Sequence, residues 1–360
     1  MKIVHVIGTG TIGEPLIGML SRAKDVLGFD QVTFNKRTPL LTDRSKVVQL
    51  IETGALLATD NKSGFVDMGI ESSFTSEEAI DRATVIIDCT PGGIGLENKE
   101  KFYYRNTTTR MFIAQGSEDG FGKKYAFGIN DEVLQGQDWY QERFHQIVSC
   151  NTHNLAALVQ TIGMDGGHDP TDFVSADFTC IRRTNDISQT SSFSPALSVG
   201  AHSSSFGTHH AKDLHAIMST KGIHLGTEDE PTVFSSACKI PSQYMHGIRF
   251  RIETTGTTLD LVRQQISENE MMAVTHKSDS NKVFSFGRDY GLYGRILNQT
   301  VINLESLSVQ NDSIVTGFCF TPQDGNSLIS SVAAATYGIN PKGYQDRVKK
   351  AFGKYLFSEV

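Results

Sequence analysis

Short apolar runs alternate with amphipathic segments along the first 150 residues. Each run has the length of a buried strand, and two of the segments between them place apolar residues three or four positions apart, which is the spacing of one helix face. The predicted strands are residues 2–7, 31–34, 84–88, 110–114 and 146–149, and the predicted helices are residues 15–27 and 45–54. This alternation predicts a parallel sheet covered by helices.

A different pattern follows residue 150. After a helical stretch at residues 154–164, apolar and polar positions alternate with a period of two, which is typical of half-buried strands. The strands predicted in this way are residues 174–182, 246–253, 307–309 and 314–320, the last two joined as a hairpin. The pattern predicts two domains, residues 1–149 and residues 150–329, the second with a mostly antiparallel sheet. The helical tail, about 330–360, is expected to pack back on the first domain.

Composition excludes some classes of function. The chain has 360 residues, 39% of them hydrophobic, which suits two globular domains better than one. A net charge of −7 argues against nucleic acid as a partner. Five cysteines without a CxxC pair suit a reducing compartment, and no apolar run approaches the length of a membrane span. We therefore expect a cytoplasmic protein with no membrane partner.

A glycine-rich turn follows the first predicted strand. Gly8, Gly10 and Gly13 form a G-x-G-x-x-G pattern that opens the first predicted helix. In this context the glycines let the backbone approach a pyrophosphate, and the helix N-terminus offers N–H donors to it. The alternative is a tight turn without a ligand. The sequence predicts an α/β fold class, an N-terminal Rossmann parallel sheet followed by an α+β catalytic domain.

The end of the second predicted strand bears on the choice of dinucleotide. A site specific for NAD usually places Asp or Glu there to bind the ribose 2′-hydroxyl. This chain has Lys36 and Arg37 instead, whose positive charges could bind a 2′-phosphate. A solvated basic loop is the alternative. The sequence favours NADP as the preferred cofactor, with NAD tolerated.

Cys150 lies where a predicted strand meets a predicted helix. The N–H groups and the positive dipole of a helix N-terminus stabilise the thiolate, which is the form of cysteine that attacks carbonyl groups. Asn151 or Thr152 could cap the helix. A buried structural cysteine is the alternative. The position favours a nucleophile.

Several stretches resemble those of a known enzyme family. The specific ones are Asp88–Gly95 (DCTPGGIG), Ala114–Gly116 (AQG), Val148–Thr152 (VSCNT) and the Gly8–Gly13 turn itself. They resemble the archaeal-type (type II) phosphorylating glyceraldehyde-3-phosphate dehydrogenases. Looser similarities to that family follow at Arg182-Arg183 before Asp186, at Thr208-His209-His210 before Asp213, and at Met245-His246.

The resemblance implies a reaction. The Cys150 thiolate would attack the aldehyde of glyceraldehyde 3-phosphate, and transfer of hydride to the nicotinamide would leave a thioester. Inorganic phosphate would then release 1,3-bisphosphoglycerate. His246 would activate the thiol and accept the hydroxyl proton, a role that suits an imidazole near neutral pH. The family also suggests a homotetramer.

The same resemblance assigns binding residues. The expected substrate contacts are Ser149, Asn151, Thr152, His209, His210 and Arg182. The expected cofactor contacts are Gly8, Gly10, Thr11, Ile12, Gly13, Lys36, Arg37, Thr90, Pro91, Gly92, Gly116, Arg183 and Gln323. No metal site is expected, because adjacent histidines in a strand would point to opposite faces. By the same argument only one of the two arginines is expected to reach the site.

Alternatives stay open at this stage. His246 is in phase with apolar residues of its strand and could be a core histidine, and the histidine pair could be a polar loop. The sequence departs from the family pattern at His153, at Ala211-Lys212 and in extra residues around 222–232, whose role is open. Another aldehyde, such as a semialdehyde, could be the substrate of the same chemistry. A nucleotide-binding regulator without turnover is a further reading, while an RNA-binding module is disfavoured by the acidic charge.

Overall fold

The computed structural model describes residues 1–116, 118–136, 142–164, 172–185, 194–202, 204–322 and 324–360. Its contacts divide the chain into two compact units. The first consists of Met1–Phe127, Val133–Ile147 and Leu328–Gly353, and the second of Gly128–Glu132, Val148–Ser327 and Lys354–Val360. Among the described residues, no helix has the length and apolar character that crossing a bilayer requires.

The first unit is built on a parallel sheet. Its strands are β1 (Ile3–Ile7), β2 (Gln31–Asn35), β3 (Leu56–Ala58), β4 (Val85–Asp88), β5 (Met111–Ala114), β6 (Lys123–Tyr125) and β7 (Phe144–Ile147), in the order β3-β2-β1-β4-β5-β7-β6. Every strand pair in it is parallel. Every residue of the central strands β1, β4 and β5 is buried, as expected for a sheet with helices on both faces. The predicted Rossmann-like parallel sheet is confirmed.

Among the described residues, six α-helices connect these strands. They are α1 (Gly13–Arg22), α2 (Lys24–Leu27), α3 (Arg44–Glu52), α4 (Lys62–Val66), α5 (Ser76–Arg82) and α6 (Ile94–Asn98). The α1 helix is amphipathic and buries Leu16, Met19 and Leu20, which are the apolar residues that its spacing marks. The connections place the loop after each parallel strand at one edge of the sheet, where ligands of such folds bind.

The second unit contains a mixed sheet. Its strands are β8 (Phe173–Arg183), β9 (Ser198–Val199), β10 (Val233–Ile240), β11 (His246–Thr254), β12 (Met272–Thr275), β13 (Thr300–Asn303), β14 (Ser308–Gln310) and β15 (Ile314–Thr321). The order is β12-β13-β15-β11-β8-β10-β9, with β14 paired to β15. Five of the seven described pairs are antiparallel, so the predicted mostly antiparallel sheet and its β14–β15 hairpin are confirmed.

The helices of the second unit and of the C-terminal region complete the fold. They are α7 (Cys150–Leu158), α8 (His209–Thr220), α9 (Leu259–Glu268) and α10 (Ser280–Tyr290), followed by α11 (Gly325–Ile339) and α12 (Tyr344–Phe352). Within the first unit, the Arg347 guanidinium of α12 donates to the Leu27 carbonyl at the end of α2. A Cβ built on Gly338 of α11 would lie 3.1 Å from the Met111 side chain on β5, so this helix packs directly on the sheet.

Three predicted local features are wrong. The strand expected at 146–149 is β7 at Phe144–Ile147, and the helix expected from residue 154 begins at Cys150, because Ser149 caps it. The α-helix ends at Leu158 and continues as a π-helical turn at Val159–Gly163. His209 and His210 are the first residues of a helix and not of a strand or loop, because Thr208 caps α8 there.

Candidate active site

The glycine turn between β1 and α1 has the shape of a dinucleotide cradle. Gly8 has a φ of +97°, and a Cβ there would lie 2.8 Å from the Cys89 carbonyl oxygen. A Cβ on Gly13 would lie 2.1 Å from the Gly8 carbonyl oxygen, so packing alone requires glycine at both positions. Gly10 is exposed, and a Cβ there would meet nothing within 4 Å. Open space in front of the middle glycine fits the close approach of a pyrophosphate.

At the start of α1 the Glu14 N–H already donates to the Gly10 carbonyl and Pro15 has no N–H, so the helix offers the same ligand mainly the positive end of its dipole. Thr11 and Ile12 are partly exposed, and Ile12 occupies the N-cap without a side-chain hydrogen bond to the helix. An uncapped helix start directed at a glycine turn is a ready anion site. The residues present therefore fit a dinucleotide phosphate.

A cavity of about 760 Å³ lies beyond the turn, at the carboxyl ends of β1 and β2. Arg37, Lys101 and Arg105 line it. Lys36 binds Asp43 at 2.6 Å, so its charge is already compensated. Arg37 is exposed and forms no ion pair within the described part of the chain. Of the two cations that the sequence proposes for a 2′-phosphate, only Arg37 is free to bind one.

The loop after β4 is held by Asp88. Its carboxylate accepts hydrogen bonds from the backbone N–H of Thr90 at 3.0 Å, from Asn98 at 2.8 Å and from the Tyr103 hydroxyl at 2.6 Å. Pro91 and Gly92, next in this loop, are exposed. Gly116, just after β5, is partly exposed at the same edge of the sheet, and Gln323 lies outside the described residues.

In the second unit, Cys150 is the first residue of α7. Ser149 is the N-cap, and its hydroxyl oxygen accepts a hydrogen bond from the Thr152 N–H. Cys150 itself is partly exposed, whereas all other residues of α7 are buried. The Asn326 amide donates to the Cys150 carbonyl at 2.9 Å. A thiol at the positive end of a fixed helix has its thiolate stabilised.

The other four cysteines have different surroundings. Burial raises the pKa of Cys180 and of Cys319 to about 12. Burial, reinforced by the adjacent Asp88 charge, raises the pKa of Cys89 far above its usual range. Cys238, on β10, is partly exposed. Cys150 is therefore the cysteine that combines access with a helix N-terminus among the described residues.

His210 lies directly behind Ser149 and Asn151. Its Nδ1 is 3.1 Å from the Ser149 hydroxyl, and its Nε2 is 3.4 Å from the Asn151 amide nitrogen. Burial lowers the pKa of His210 well below its usual range, and the charges of His209, Arg182 and His246 lower it further. The ring is therefore neutral near pH 7. His209, its neighbour on α8, is exposed.

The sheet of this unit contributes Arg182 and His246. In the antiparallel pairing of β8 with β11, Ile181 lies opposite Gly247, which places Arg182 beside His246. On the other side His246 lies opposite Thr321 of β15. Burial lowers the pKa of His246, and the charges of Arg183 and Arg182 add to that effect. Arg182 acts on the pKa of both histidines and His246 acts on that of His210, which is consistent with all three lying in one region.

A backbone hydrogen bond fixes the orientation of His246. The N–H of Arg183 donates to His246 Nδ1 at 3.0 Å. A neutral imidazole has one protonated nitrogen, so this bond places the proton on Nε2. In this tautomer His246 can donate a hydrogen bond through Nε2.

The two adjacent arginines have different partners. The Arg183 guanidinium is buried, lies 3.4 Å from the Asp324 carboxylate and also donates to the Tyr244 carbonyl. The Arg182 Nε is buried and forms no hydrogen bond among the described residues. The alternation of a strand sends the two side chains to opposite faces. The Arg182 charge acts on both His210 and His246, whereas the Arg183 charge acts on His246 and not on His210.

Comparisons with known proteins give distant relatives. No family model matches the chain. It is 25% identical over 269 residues to the glyceraldehyde-3-phosphate dehydrogenase of Methanobacterium formicicum, covering 74% of this chain and 72% of the relative. It is 23% identical over 319 residues to the enzyme of the same name from Methanococcus vannielii, covering 86% of each. It is 25% identical over 320 residues to that of Methanopyrus kandleri, covering 86% of this chain and 84% of the relative.

Sequence reasoning missed the residues that hold the site in place. They are Asn154, Thr321, Asp324 and Asn326, whose side chains bond to site residues far away in the chain. Polar residues inside otherwise apolar helices and at strand ends were the available signal, but their partners depend on the tertiary fold. Across the described parts of the chain, no cluster of three or more His, Cys, Asp or Glu side chains could hold a metal ion.

Proposed function

We propose that this chain is a phosphorylating glyceraldehyde-3-phosphate dehydrogenase that prefers NADP and also accepts NAD. The observation that carries the proposal is the partly exposed Cys150 thiol at the start of a buried helix, with His210 fixed behind it. The glycine turn of the first unit fits the phosphates of a dinucleotide. The names of the distant relatives support the same activity.

The proposed chemistry begins with the Cys150 thiolate, whose proton has been lost to solvent. The sulfur forms a bond to the aldehyde carbon, and the carbonyl oxygen becomes an alkoxide. The bound nicotinamide nucleotide supplies the acceptor for the hydride that leaves this carbon. The product is a thioester on Cys150. Inorganic phosphate then attacks the thioester carbon and gives its proton to solvent, the carbon–sulfur bond breaks, and 1,3-bisphosphoglycerate leaves with the thiolate regenerated.

His246 acts on the oxygen atom in this proposal. Because Nδ1 accepts the Arg183 N–H, the ring presents Nε2–H, which stabilises a developing alkoxide by donating a hydrogen bond. The role suggested by family resemblance, accepting the hydroxyl proton, would require Nε2 to lose its proton and Nδ1 to give up its present bond. We therefore propose the donor role for addition and hydride transfer.

Anionic reactants need a cation, and Arg182 is the proposed one. Its Nε is buried without a hydrogen bond among the described residues, so a phosphate group would satisfy it. Ser149, Asn151, Thr152 and the exposed His209 are the proposed neighbours of the substrate. His210 would have to exchange one of its present partners to touch it. A homotetramer remains a proposal that rests on the resemblance.

The test is an assay of the purified protein with glyceraldehyde 3-phosphate, phosphate and NADP or NAD. We expect the absorbance of the reduced nicotinamide to rise, faster with NADP. Cys150→Ser should abolish turnover and retain cofactor binding by calorimetry. Cys238→Ser, which changes another partly exposed cysteine, should remain active.

The negative outcomes separate the alternatives. Folded protein that reduces the nucleotide only with another phosphorylated aldehyde or a semialdehyde would refute the substrate assignment but retain the chemistry. Protein that binds the nucleotide and turns over none of these aldehydes would be the non-catalytic regulator. Full activity of Cys150→Ser would refute the nucleophile.

A further inference from the structure

A buried chain of hydrogen bonds runs from β15 through α7 to the candidate nucleophile loop. The Asn154 amide nitrogen is 3.0 Å from the Thr321 hydroxyl, which is 3.2 Å from the Asn151 amide oxygen. Asn151 in turn bonds to His210, and His210 bonds to Ser149. Thr321, Asn151, Asn154 and His210 are each at least nine-tenths buried, so water does not compete for these bonds.

The direction of the chain follows from its first member. The Asn154 NH₂ group faces Thr321, and its amide oxygen lies 3.3 Å from the Cys319 sulfur, which is also 3.7 Å from the Ile248 carbonyl oxygen. The Thr321 oxygen accepts from that NH₂ group, and its own proton goes to the Asn151 amide oxygen. Because the Thr321 hydroxyl accepts one hydrogen bond and donates the next, all bonds along the chain have the same donor-to-acceptor direction.

The same donor-to-acceptor direction extends to the His210 imidazole. With its oxygen bonded to Thr321, Asn151 presents its NH₂ group to His210 Nε2, which must accept. Neutral His210 therefore has its proton on Nδ1 and donates it to the Ser149 hydroxyl oxygen. Ser149 is the cap of the helix on which Cys150 stands, so this proton fixes the residue that precedes the nucleophile.

We propose that Thr321 is a positioning residue, which acts through Asn151 to hold His210 in the Nδ1–H tautomer and so orients Ser149 beside Cys150. Thr321 lies opposite His246 in the β11–β15 register, and it reaches the other histidine of the site, His210, through Asn151. Valine at this position keeps the shape and removes the hydroxyl. The Asn151 oxygen then has no donor, its amide is free to turn over, and His210 is free to move its proton to Nε2.

The effect on rate rests on the proposed function, whereas the effect on the tautomer does not. In Thr321→Val we expect kcat to fall roughly tenfold or more, the size of effect that follows from an unsatisfied buried polar group. The KM for the dinucleotide should change little, because no dinucleotide contact is assigned to this residue. Thr321→Ser keeps the hydroxyl and should restore the rate.

The experiment combines kinetics with nitrogen NMR of protein that carries ¹⁵N-labelled histidine, the His210 signals being assigned by their loss in His210→Gln. We expect the Nδ1–H tautomer of His210 in the native protein and in Thr321→Ser, and a changed ratio in Thr321→Val. Thr316→Val, on the same strand, changes a residue whose hydroxyl bonds only to that of Ser308 among the described residues, and it should behave as the native protein does.

An unchanged His210 tautomer in Thr321→Val would overturn the proposal, as would an unchanged kcat in a protein that has the proposed activity. If Thr321→Val does not fold, Thr321→Ala removes the same hydroxyl with less bulk and is judged by the same two readouts. If the native protein oxidises no aldehyde, the NMR comparison alone decides on Thr321, so the two proposals fail separately.

Discussion

Two neighbouring residues of one strand, Arg182 and Arg183, carry the same charge with different consequences. The Arg183 side chain is 4% exposed and faces the Asp324 side chain, which is 12% exposed. Removing one partner of such a pair leaves the other charge buried without compensation. Arg182 has no comparable ion pair in the described part of the chain, and its charge acts on two histidines. We therefore propose that Arg182 serves binding and that Arg183 serves stability.

Glutamine substitutions separate these two roles. Arg183→Gln should lower the free energy of unfolding by about 3 kcal/mol, because Asp324 loses its buried partner. Arg182→Gln should leave stability nearly unchanged and raise the KM for glyceraldehyde 3-phosphate or phosphate. Urea denaturation and steady-state kinetics on both variants measure this. The reverse pattern, with stability lost at 182 and affinity at 183, would contradict the assignment.

At the scale of elements, the β1–turn–α1 unit shows which features of the fold the local sequence pattern can predict. Strand, glycine turn and helix could all be predicted, because apolar runs and glycine spacing are local properties. The ends of β7 and α7 could not, because Ser149 acts as a cap only once the following residues turn into a helix. Leu214, Ile217 and Met218 of α8 have helical spacing, but the apolar pattern does not show that the helix begins as early as His209.

The missed contacts of the site have a tertiary cause. Asn154 and Thr321 are 167 positions apart in the chain, and Asn151 and His210 are 59 apart. No spacing rule connects such residues, because their proximity comes from α7 packing against β15 of the sheet and against α8. The sequence was enough to choose the candidate residues. The tautomers of His210 and His246 could not be predicted, because they depend on hydrogen-bond partners that only the fold brings near.

The glycine turn yields a matched pair of variants. Gly8→Ala should lower the melting temperature, because a left-handed φ and a 2.8 Å approach to the Cys89 carbonyl both oppose a Cβ. Gly10→Ala should fold normally, since a methyl group there meets open space, but it should weaken dinucleotide binding. Thermal melting and titration calorimetry distinguish the two effects. A Gly10→Ala protein that binds the dinucleotide as tightly as the native chain would argue against a ligand in the turn.

At the scale of the whole molecule, both units bury neutral histidines. Burial lowers the pKa of His5 and of His145 in the first unit to about 4, and that of His153 in the second unit to about 4 as well. The ordinary value in the unfolded chain is 6.5. Between these two values the unfolded chain binds more protons than the folded one, so stability must fall as the pH falls.

The expected pH dependence follows directly. Stability should be constant above pH 6.5 as far as these histidines are concerned, and should decline from there toward pH 4, by up to about 3 kcal/mol for each. Urea denaturation at several pH values measures the slope. His153→Gln should reduce it, whereas His276→Gln, at an exposed side chain, should not. A native protein with equal stability at pH 7 and pH 5 would contradict the buried neutral state.

The cysteines differ in burial and thiol pKa, so labelling of Cys150 in the native protein can be measured against labelling of Cys238 as an internal standard. An alkylating reagent should spare Cys89, Cys180 and Cys319, whose sulfur atoms stay protonated. It can reach Cys150 and Cys238, which are partly exposed; Cys89 is partly exposed as well, and only the raised pKa of its thiol protects it. Mass spectrometry of the two labelled peptides would then report, as a simple ratio, how far a bound reactant shields Cys150. Variations in reagent dose or protein amount would cancel, and no residue would have to be engineered.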